Sequence, residues 1–401
     1  MNEINYEHFD YETVYKEVRE SIKKPNILVC GGTGVGKSSI IRDIFDFLPG
    51  EGPSIGNEGR PETRGILEYS SENSTVNLFD SEGYELNDAE RGDFFRNEIV
   101  SFIDKRRKES NELENHIHEV WYCISAAGER FFDWDKAMID EIRKQNIPMM
   151  IIITQVDRTD EESLAVIKDA ITTKCPGITQ FTYSTGITPD MGDLYTTYVQ
   201  KAEILNWAMQ NIDVSLANGL ISAVKGSIGE KRAHILRTVV PKYTSLAAAT
   251  VAATTFVPVP FTDSAALTAM QVKMGMEIAQ VYGIDKTVGA LVKDMLSSTA
   301  VSAAGRSIAA KLIGCIPYVG KAVELTVNTG VATAITGIIG ASMTVLYEQY
   351  LKNCVDNNGK AKIPIQDFFT ADQIKAAMNY VMKNKKEFNI GDDDLSGKSD
   401  N

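Results

Sequence analysis

The sequence lacks the cysteine and histidine pairs that build disulfide-rich or zinc-binding proteins. Its five cysteines are scattered without a C-x-x-C pair, and its four histidines form no cluster with them. We therefore expect reduced thiols in a cytoplasmic protein without structural zinc. The loop Ser125–Arg130 looks like a nucleophile loop, but no histidine accompanies the serine, so we interpret it as an ordinary connection from a strand to a helix.

Basic residues are also in short supply. Lysine and arginine number 41 against 54 acidic residues, a net charge of −13. This balance disfavours general nucleic-acid binding, which depends on neutralising phosphates, and we expect no nucleic-acid partner. It also disfavours attraction to anionic lipid. The N-terminal residues are acidic and have no apolar core, so we expect no signal peptide.

The segment Gly31–Ser38 reads GGTGVGKS and fits the phosphate-loop pattern G-x-x-x-x-G-K-[ST]. An apolar run, Asn26–Cys30, precedes it, and an amphipathic run, Ser39–Phe45, follows, which predicts strand, loop and helix in turn. Glycines let successive N–H groups point at phosphate oxygens, and the helix adds its positive N-terminal end. Lys37 would reach the β- and γ-phosphates, and the Ser38 hydroxyl would hold Mg²⁺.

The composition changes near residue 200. Before it, apolar runs alternate with polar loops, which predicts buried parallel strands at Val76–Phe79, Val120–Ile124 and Met149–Ile153. After it, strand signals vanish. The predicted organisation is an amphipathic helix in residues 1–24, a nucleotide-binding α/β domain in 25–200, an all-α domain in 201–390 and an acidic disordered tail in 391–401.

Two further motifs surround the predicted phosphate site. Asp80–Gly83 fits D-x-x-G after a strand, so the Asp80 carboxylate can hold a Mg²⁺-bound water and the Gly83 N–H can contact the γ-phosphate. Thr63 lies in the segment Gly56–Gly65 and could complete the Mg²⁺ shell only with a γ-phosphate present. Such a contact orders a segment with GTP and releases it after hydrolysis.

Two motifs further along the chain concern the base. The run Thr154-Gln155-Val156-Asp157 ends a predicted strand, and a carboxylate there can accept the N1 and N2 hydrogens of guanine, a donor pair that adenine lacks. The run Tyr183-Ser184-Thr185 follows another β-like segment and can offer a backbone N–H to guanine O6.

These motifs, in this order over about residues 25–190, resemble the translation-factor-like GTPases, most closely the Era-like branch and its immunity-related relatives. The resemblance implies a P-loop G domain with a mostly parallel sheet. It implies nucleotide binding by Gly31, Thr33, Gly34, Val35, Gly36, Lys37, Ser38, Ser39, Thr154, Gln155, Asp157 and Ser184. It implies Mg²⁺ binding by Ser38, Thr63 and Asp80, and catalysis through Lys37, Thr63, Gly83 and Arg64.

The sequence departs from the family in two places. The usual N-K-x-D has Thr154 and Gln155 in place of Asn and Lys, so we expect weaker guanine binding. Tyr84 follows Gly83, where Ras-like enzymes place a water-orienting Gln. We therefore expect slow hydrolysis, or activation through two G domains facing each other. The candidate arginine fingers are Arg60, Arg64 and Arg130, and the acids that could position water are Glu82 and Glu85.

The second half leaves two alternatives open. The stretches Tyr243–Thr262 and Leu325–Tyr347 carry no charged residue and are long enough to cross a bilayer, yet their small and polar residues also suit a soluble or peripherally attached helical bundle. The stretch Pro258–Leu267 looks like an uncharacterised bacterial helical domain often fused to Era-like GTPases, a resemblance that covers about residues 235–350.

The sequence therefore predicts an α/β P-loop NTPase fold followed by an all-α domain. The predicted function is GTP hydrolysis with Mg²⁺ that switches the helical domain, with a homodimer through the G domains as one route. One alternative is a membrane-anchored scaffold whose assembly GTP controls with little turnover. Another is an ATP-using P-loop enzyme.

Overall fold

The computed structural model describes residues 17–18, 20–47, 52–53, 65–70, 74–81, 89–109, 113–128, 131–253, 265–284, 329–355, 361–388 and 390. The chain divides into two compact units. The sheet unit is Ile22–Ser227, and the helical unit combines residues 1–21 with residues 228–401. The predicted acidic tail, residues 391–401, and the proline-containing segment 254–264 lie outside the described residues.

Among its described residues, the sheet unit contains one sheet of six strands. They are β1 Asn26–Gly31, β2 Ile66–Tyr69, β3 Asn77–Ser81, β4 Glu119–Ser125, β5 Met149–Thr154 and β6 Thr179–Thr182. Their order in the sheet is β2-β3-β1-β4-β5-β6, with β2 antiparallel to β3 and every other neighbouring pair parallel. Every residue of β1 and β5 is buried, as expected for strands covered by helices on both faces.

Seven helices accompany the sheet in the part of this unit that the structure describes. They are α1 Lys37–Ile44, α2 Ala89–Glu109, α3 Asp133–Arg143, α4 Glu161–Lys174, α5 Asp193–Tyr198, α6 Lys201–Asn211 and α7 Val214–Ala223. Short 3₁₀ turns occur at Leu113–Asn115, Ala126–Gly128, Val156–Arg158 and Pro189–Met191. The parallel sheet and its flanking helices confirm the predicted α/β P-loop fold class.

The sheet unit continues past residue 200, where the sequence predicts its end. Leu205 on α6 and Leu220 on α7 are fully buried. Backbone hydrogen bonds also connect the C-terminal end of α7 with that of α1. Asp46 N donates to Ala223 O at 2.9 Å, and Lys225 N donates to Ile44 O at 2.8 Å. Residues 201–227 therefore form part of the same compact unit as the sheet.

The described part of the helical unit contains α8 Ile228–His234, α9 Val240–Ala253, α10 Ala265–Val281, α11 Thr329–Cys354, α12 Ile365–Phe368 and α13 Ala371–Lys383. A π-helical turn, Ile235–Val239, joins α8 to α9, and a 3₁₀ turn, Lys385–Phe388, follows α13. This region confirms that helices follow the α/β fold. Among the helices described, none is both long and apolar enough to cross a membrane.

Glycines allow α9, α10 and α11 to approach closely. A Cβ atom on Gly340 would lie 2.9 Å from both Met274 Sδ and Val240 Cγ2, so only a residue without a side chain fits there unchanged. A buried carboxylate also joins α9 and α10, because Glu277 Oε2 accepts hydrogen bonds from Lys242 Nζ at 2.8 Å and from the Tyr243 hydroxyl at 2.9 Å. These contacts hold the helices at fixed positions along one another.

Candidate nucleotide-binding site

The loop between β1 and α1 is shaped by two glycines. Gly31 has φ 141°, and a Cβ atom there would lie 2.2 Å from Cys123 O on β4, so the chain can leave the sheet only with glycine at this position. Gly36 has φ 96° and begins α1 in the left-handed conformation. The first N–H groups of the helix consequently face the loop, which gives this end a positive potential.

The Lys37 side chain is buried within this loop. Its Nζ donates to Gly31 O at 3.1 Å and to Gly32 O at 2.9 Å. The ammonium group is thus held beside the same backbone that curls around the predicted phosphate position. Near the Lys37 ammonium, burial raises the pKa of the Cys123 thiol to about 12, so this cysteine stays neutral at physiological pH.

A hydroxyl and a carboxylate meet beside the loop. Ser38 Oγ, in the first turn of α1, donates to Asp80 Oδ2 at 2.6 Å. Asp80 lies on β3 opposite Val29 of β1 and is fully buried. Hydroxyl and carboxylate oxygens are the ligands that Mg²⁺ prefers, so this pair fits the predicted metal.

The remaining predicted switch residues fall in parts of the chain that the structure does not describe. The predicted catalytic residues Thr63, Gly83 and Arg64 lie outside the described residues. The same is true of the other predicted helpers, which are Arg60, Glu82, Tyr84, Glu85 and Arg130. Their roles stay predictions.

The predicted base-reading carboxylate is held by the loop after β6. Asp157 Oδ1 accepts a hydrogen bond from the Ser184 hydroxyl, and Ser184 Oγ in turn accepts one from the Gly186 N–H at 3.1 Å. A Cβ atom on Gly186 would lie 2.6 Å from Asp157 Oδ2. Asp157 Oδ2 can therefore occupy its present position only because residue 186 lacks a side chain.

Three side chains join the loops that carry the predicted base motifs to the predicted phosphate-binding segment. Thr154 Oγ1 donates to Val35 O at 2.5 Å, and Gln155 Nε2 donates to Gly34 O at 2.8 Å. The Tyr183 hydroxyl donates to the Asp43 carboxylate on α1. The predicted phosphate end and the predicted base end of the site are therefore connected by side-chain hydrogen bonds.

The structure brings the predicted phosphate-loop residues, Asp80, the Thr154–Asp157 turn and Ser184 to the same edge of the sheet. Their contacts with a nucleotide stay predictions. The sequence reasoning did not single out Gly186, Asp43 or a role for Ser125, which donates to Gln155 Oε1 at 2.7 Å. For Gly186, the signal available was a glycine immediately after the predicted base motif.

No protein-family model matches the chain, and no curated protein matches it. Among solved structures, it is similar to a probable GTP-binding protein engB, with 17% identity, a TM-score of 0.32, and coverage of 46% of this chain and 99% of that one. It is also similar to an Era variant from Aquifex aeolicus bound to GDP.AlF4-, with 13% identity, a TM-score of 0.33, and coverage of 53% and 68%.

A third similar structure is an oligomerised bacterial dynamin pair, described as a mechanism for long-range sensing and tethering of membranes. It has 11% identity and a TM-score of 0.31, and the match covers 93% of this chain and 88% of that one. At these identities, the three similarities concern the fold alone.

Proposed function

We propose that the sheet unit binds a guanine nucleotide together with Mg²⁺ and hydrolyses GTP. One observation carries this proposal. The curled loop with its buried lysine, the Ser38–Asp80 pair and the oriented Asp157 carboxylate lie at one edge of the sheet and are joined by hydrogen bonds.

The phosphate end has the chemistry that a polyphosphate requires. The backbone N–H groups at the start of α1 and the Lys37 ammonium would stabilise negative charge, most strongly where it develops on the transferred phosphoryl group. Ser38 and Asp80 would hold Mg²⁺, which supplies further charge neutralisation at the phosphates. The Asp80 carboxylate accepts the Ser38 hydroxyl at 2.6 Å, so both oxygen donors are already adjacent.

The base end favours guanine over adenine. Asp157 presents a carboxylate whose two oxygens match the N1 and N2 hydrogens of guanine, and Ser184 and Gly186 fix its orientation. A site that depends on hydrogen bonds rejects a base lacking the matching donors, because its own polar groups are then left unpaired. The same contact separates this proposal from the ATP-using alternative.

The proposed output is a change in the helical unit that depends on the bound nucleotide. Support for it comes from the sequence, in which Thr63 and the Asp80–Gly83 motif stand at the positions of the two switch elements. A γ-phosphate would order these segments and its loss would release them. The chain continues directly from the sheet unit into α8 of the helical unit, so the two units are covalently adjacent.

The first experiment measures nucleotide binding and turnover of Lys37→Ala. Losing an ammonium group that binds phosphate should weaken GTP binding roughly 10- to 100-fold. Lys136→Ala is the matched control, because it removes the same charge from the surface of α3, where Lys136 pairs with Asp140. Unchanged GTP binding and turnover in Lys37→Ala would contradict the proposal.

A second variant, Asp157→Asn, tests base recognition. An amide in place of the carboxylate presents a donor, which suits the O2 oxygen of xanthine and disfavours the N2 group of guanine. The expected result is a shift in preference from guanosine to xanthosine nucleotides, measured by competition for the bound nucleotide. An unshifted preference would show that Asp157 does not read the base and would favour the ATP-using alternative.

A further inference from the structure

Ser125 occupies the last position of β4, beside Thr154 at the last position of β5. From there its hydroxyl donates to Gln155 Oε1 at 2.7 Å. The other end of the same amide, Gln155 Nε2, donates to Gly34 O in the phosphate loop at 2.8 Å. The serine is thus connected to the phosphate loop through a single side chain.

The glutamine amide has two ends of similar shape and opposite polarity. Only its NH₂ end can donate to the Gly34 carbonyl, whereas its oxygen would repel that carbonyl. A hydroxyl donor at Oε1 makes the productive orientation the favoured one. A lysine ammonium could donate to the Gly34 carbonyl in any rotation, because it has three equivalent N–H groups. An amide can donate only from its NH₂ end, so its orientation must be fixed by a second hydrogen bond.

Gly34 is a position where such a contact matters. Its φ is 72°, and no atom lies within 4 Å of the place where a Cβ would stand, so side-chain packing does not fix the outer turn of the loop. Its carbonyl is held by Gln155, and the next carbonyl, Val35 O, is held by Thr154. These bonds determine where the neighbouring N–H groups point.

We propose that Ser125 is a positioning residue for nucleotide binding. It orients the Gln155 amide, and the amide holds the phosphate loop at Gly34 in the shape that receives phosphates. This inference rests on the proposed function, and it assigns a role to a serine that the sequence places in an ordinary connecting loop.

The test is a double-mutant cycle on Ser125→Ala and Gln155→Ala, read as the Kd of a fluorescent GDP analogue on the full chain. Ser125→Ala should raise Kd roughly three- to tenfold, the effect of losing one oriented hydrogen bond. In the Gln155→Ala background, the same change should have no further effect, because the serine acts only through the amide. Ser125→Thr keeps the hydroxyl and should restore binding.

The effect should also be independent of the base. On the Asp157→Asn background, Ser125→Ala should raise the Kd for xanthosine diphosphate by the same factor. Ser215→Ala is the matched control. It removes a serine hydroxyl bonded to Asp213 at 2.6 Å on α7 and should leave Kd unchanged.

Two results would overturn the inference: an unchanged Kd in Ser125→Ala, or an equal loss of affinity whether or not Gln155 is present. Lys37→Ala separates this inference from the proposed function. If Lys37→Ala loses nucleotide and Ser125→Ala does not, only the role of Ser125 fails. If Lys37→Ala also binds normally, the proposed nucleotide site itself fails.

Discussion

At the scale of single residues, Glu119 is a carboxyl group in a place where charge is costly. It begins β4, is fully buried, and accepts a hydrogen bond from Trp121 Nε1 at 3.0 Å. Its Oε1 atom has no hydrogen-bond partner among the residues that the structure describes. Burial raises its pKa from 4.5 to about 8, and the indole N–H only partly opposes that shift.

This raised pKa predicts how stability changes with pH. Between pH 4.5 and about 8, the folded chain keeps the Glu119 proton and the unfolded chain does not. The free energy of unfolding should therefore fall by about 1.4 kcal/mol per pH unit in that window and level off above it. Glu119→Gln should flatten this slope in urea unfolding measured from pH 5 to 9. A slope that persists in Glu119→Gln would assign it to other groups.

Gly186 gives a second prediction for a single residue. Replacing it with alanine would put a Cβ atom 2.6 Å from Asp157 Oδ2, and the carboxylate must move away from its present position. We expect Gly186→Ala to weaken guanine-nucleotide binding roughly tenfold while changing stability little. Gly229→Ala is a suitable control, because no atom lies within 4 Å of the added carbon. Equal affinities for the two variants would contradict the prediction.

At the scale of secondary-structure elements, α7 is held against the rest of the sheet unit by close backbone contact. A Cβ atom on Gly219 would lie 2.3 Å from Lys23 O and 2.7 Å from Thr75 O. Thr75 Oγ1 also donates to Gly219 O at 2.8 Å. Helix α7 therefore touches the segments that lead into β1 and β3, and a side chain at this point has no room.

We expect Gly219→Ala to destabilise the sheet unit by about 1–3 kcal/mol, because backbone atoms cannot move aside as a flexible side chain can. Thermal unfolding monitored by nucleotide binding and by circular dichroism would measure this loss. Gly229→Ala again provides the control, since it adds the same methyl group in open space. An unchanged melting temperature in Gly219→Ala would mean that α7 does not pack as described.

At the scale of the whole molecule, the proposed GTP hydrolysis requires a group that orients the attacking water. Tyr84 follows Gly83 in place of a water-orienting glutamine, which favours help from a second copy of the chain. We therefore expect GTP turnover per chain to rise with protein concentration, and Arg64→Ala to reduce that rise. Steady-state phosphate release in detergent-free buffer would measure it.

A turnover per chain that stays constant over the concentration range would contradict activation by dimerisation. GTP binding with negligible turnover at every concentration would instead favour the scaffold alternative, in which assembly rather than hydrolysis is the output.

Several features could be predicted because they are local in the sequence. The phosphate loop is one unbroken segment, Gly31–Ser38, whose glycines, lysine and serine have a fixed spacing. The strands β1, β4 and β5 are apolar runs because both faces of a parallel sheet are covered, so each carries its own signal. Among the described residues only helices follow β6, and this change is likewise visible as a change in composition near residue 200.

The position where the sheet unit ends could not be predicted from the sequence. Helices α6 and α7 have the composition of the helical region, and nothing in their own residues says which unit they join. Their membership follows from contacts with distant parts of the chain, such as that between Thr75 and Gly219, which are 144 positions apart.

The sequence by itself determined the fold class and located the phosphate-loop segment, because residue type and spacing act over a few positions. Only the tertiary structure decided how the motifs are joined. Gln155 meets Gly34 across 121 positions, and Tyr183 meets Asp43 across 140. Such pairs depend on the order of the strands in the sheet, which places the ends of β1, β4, β5 and β6 at one edge.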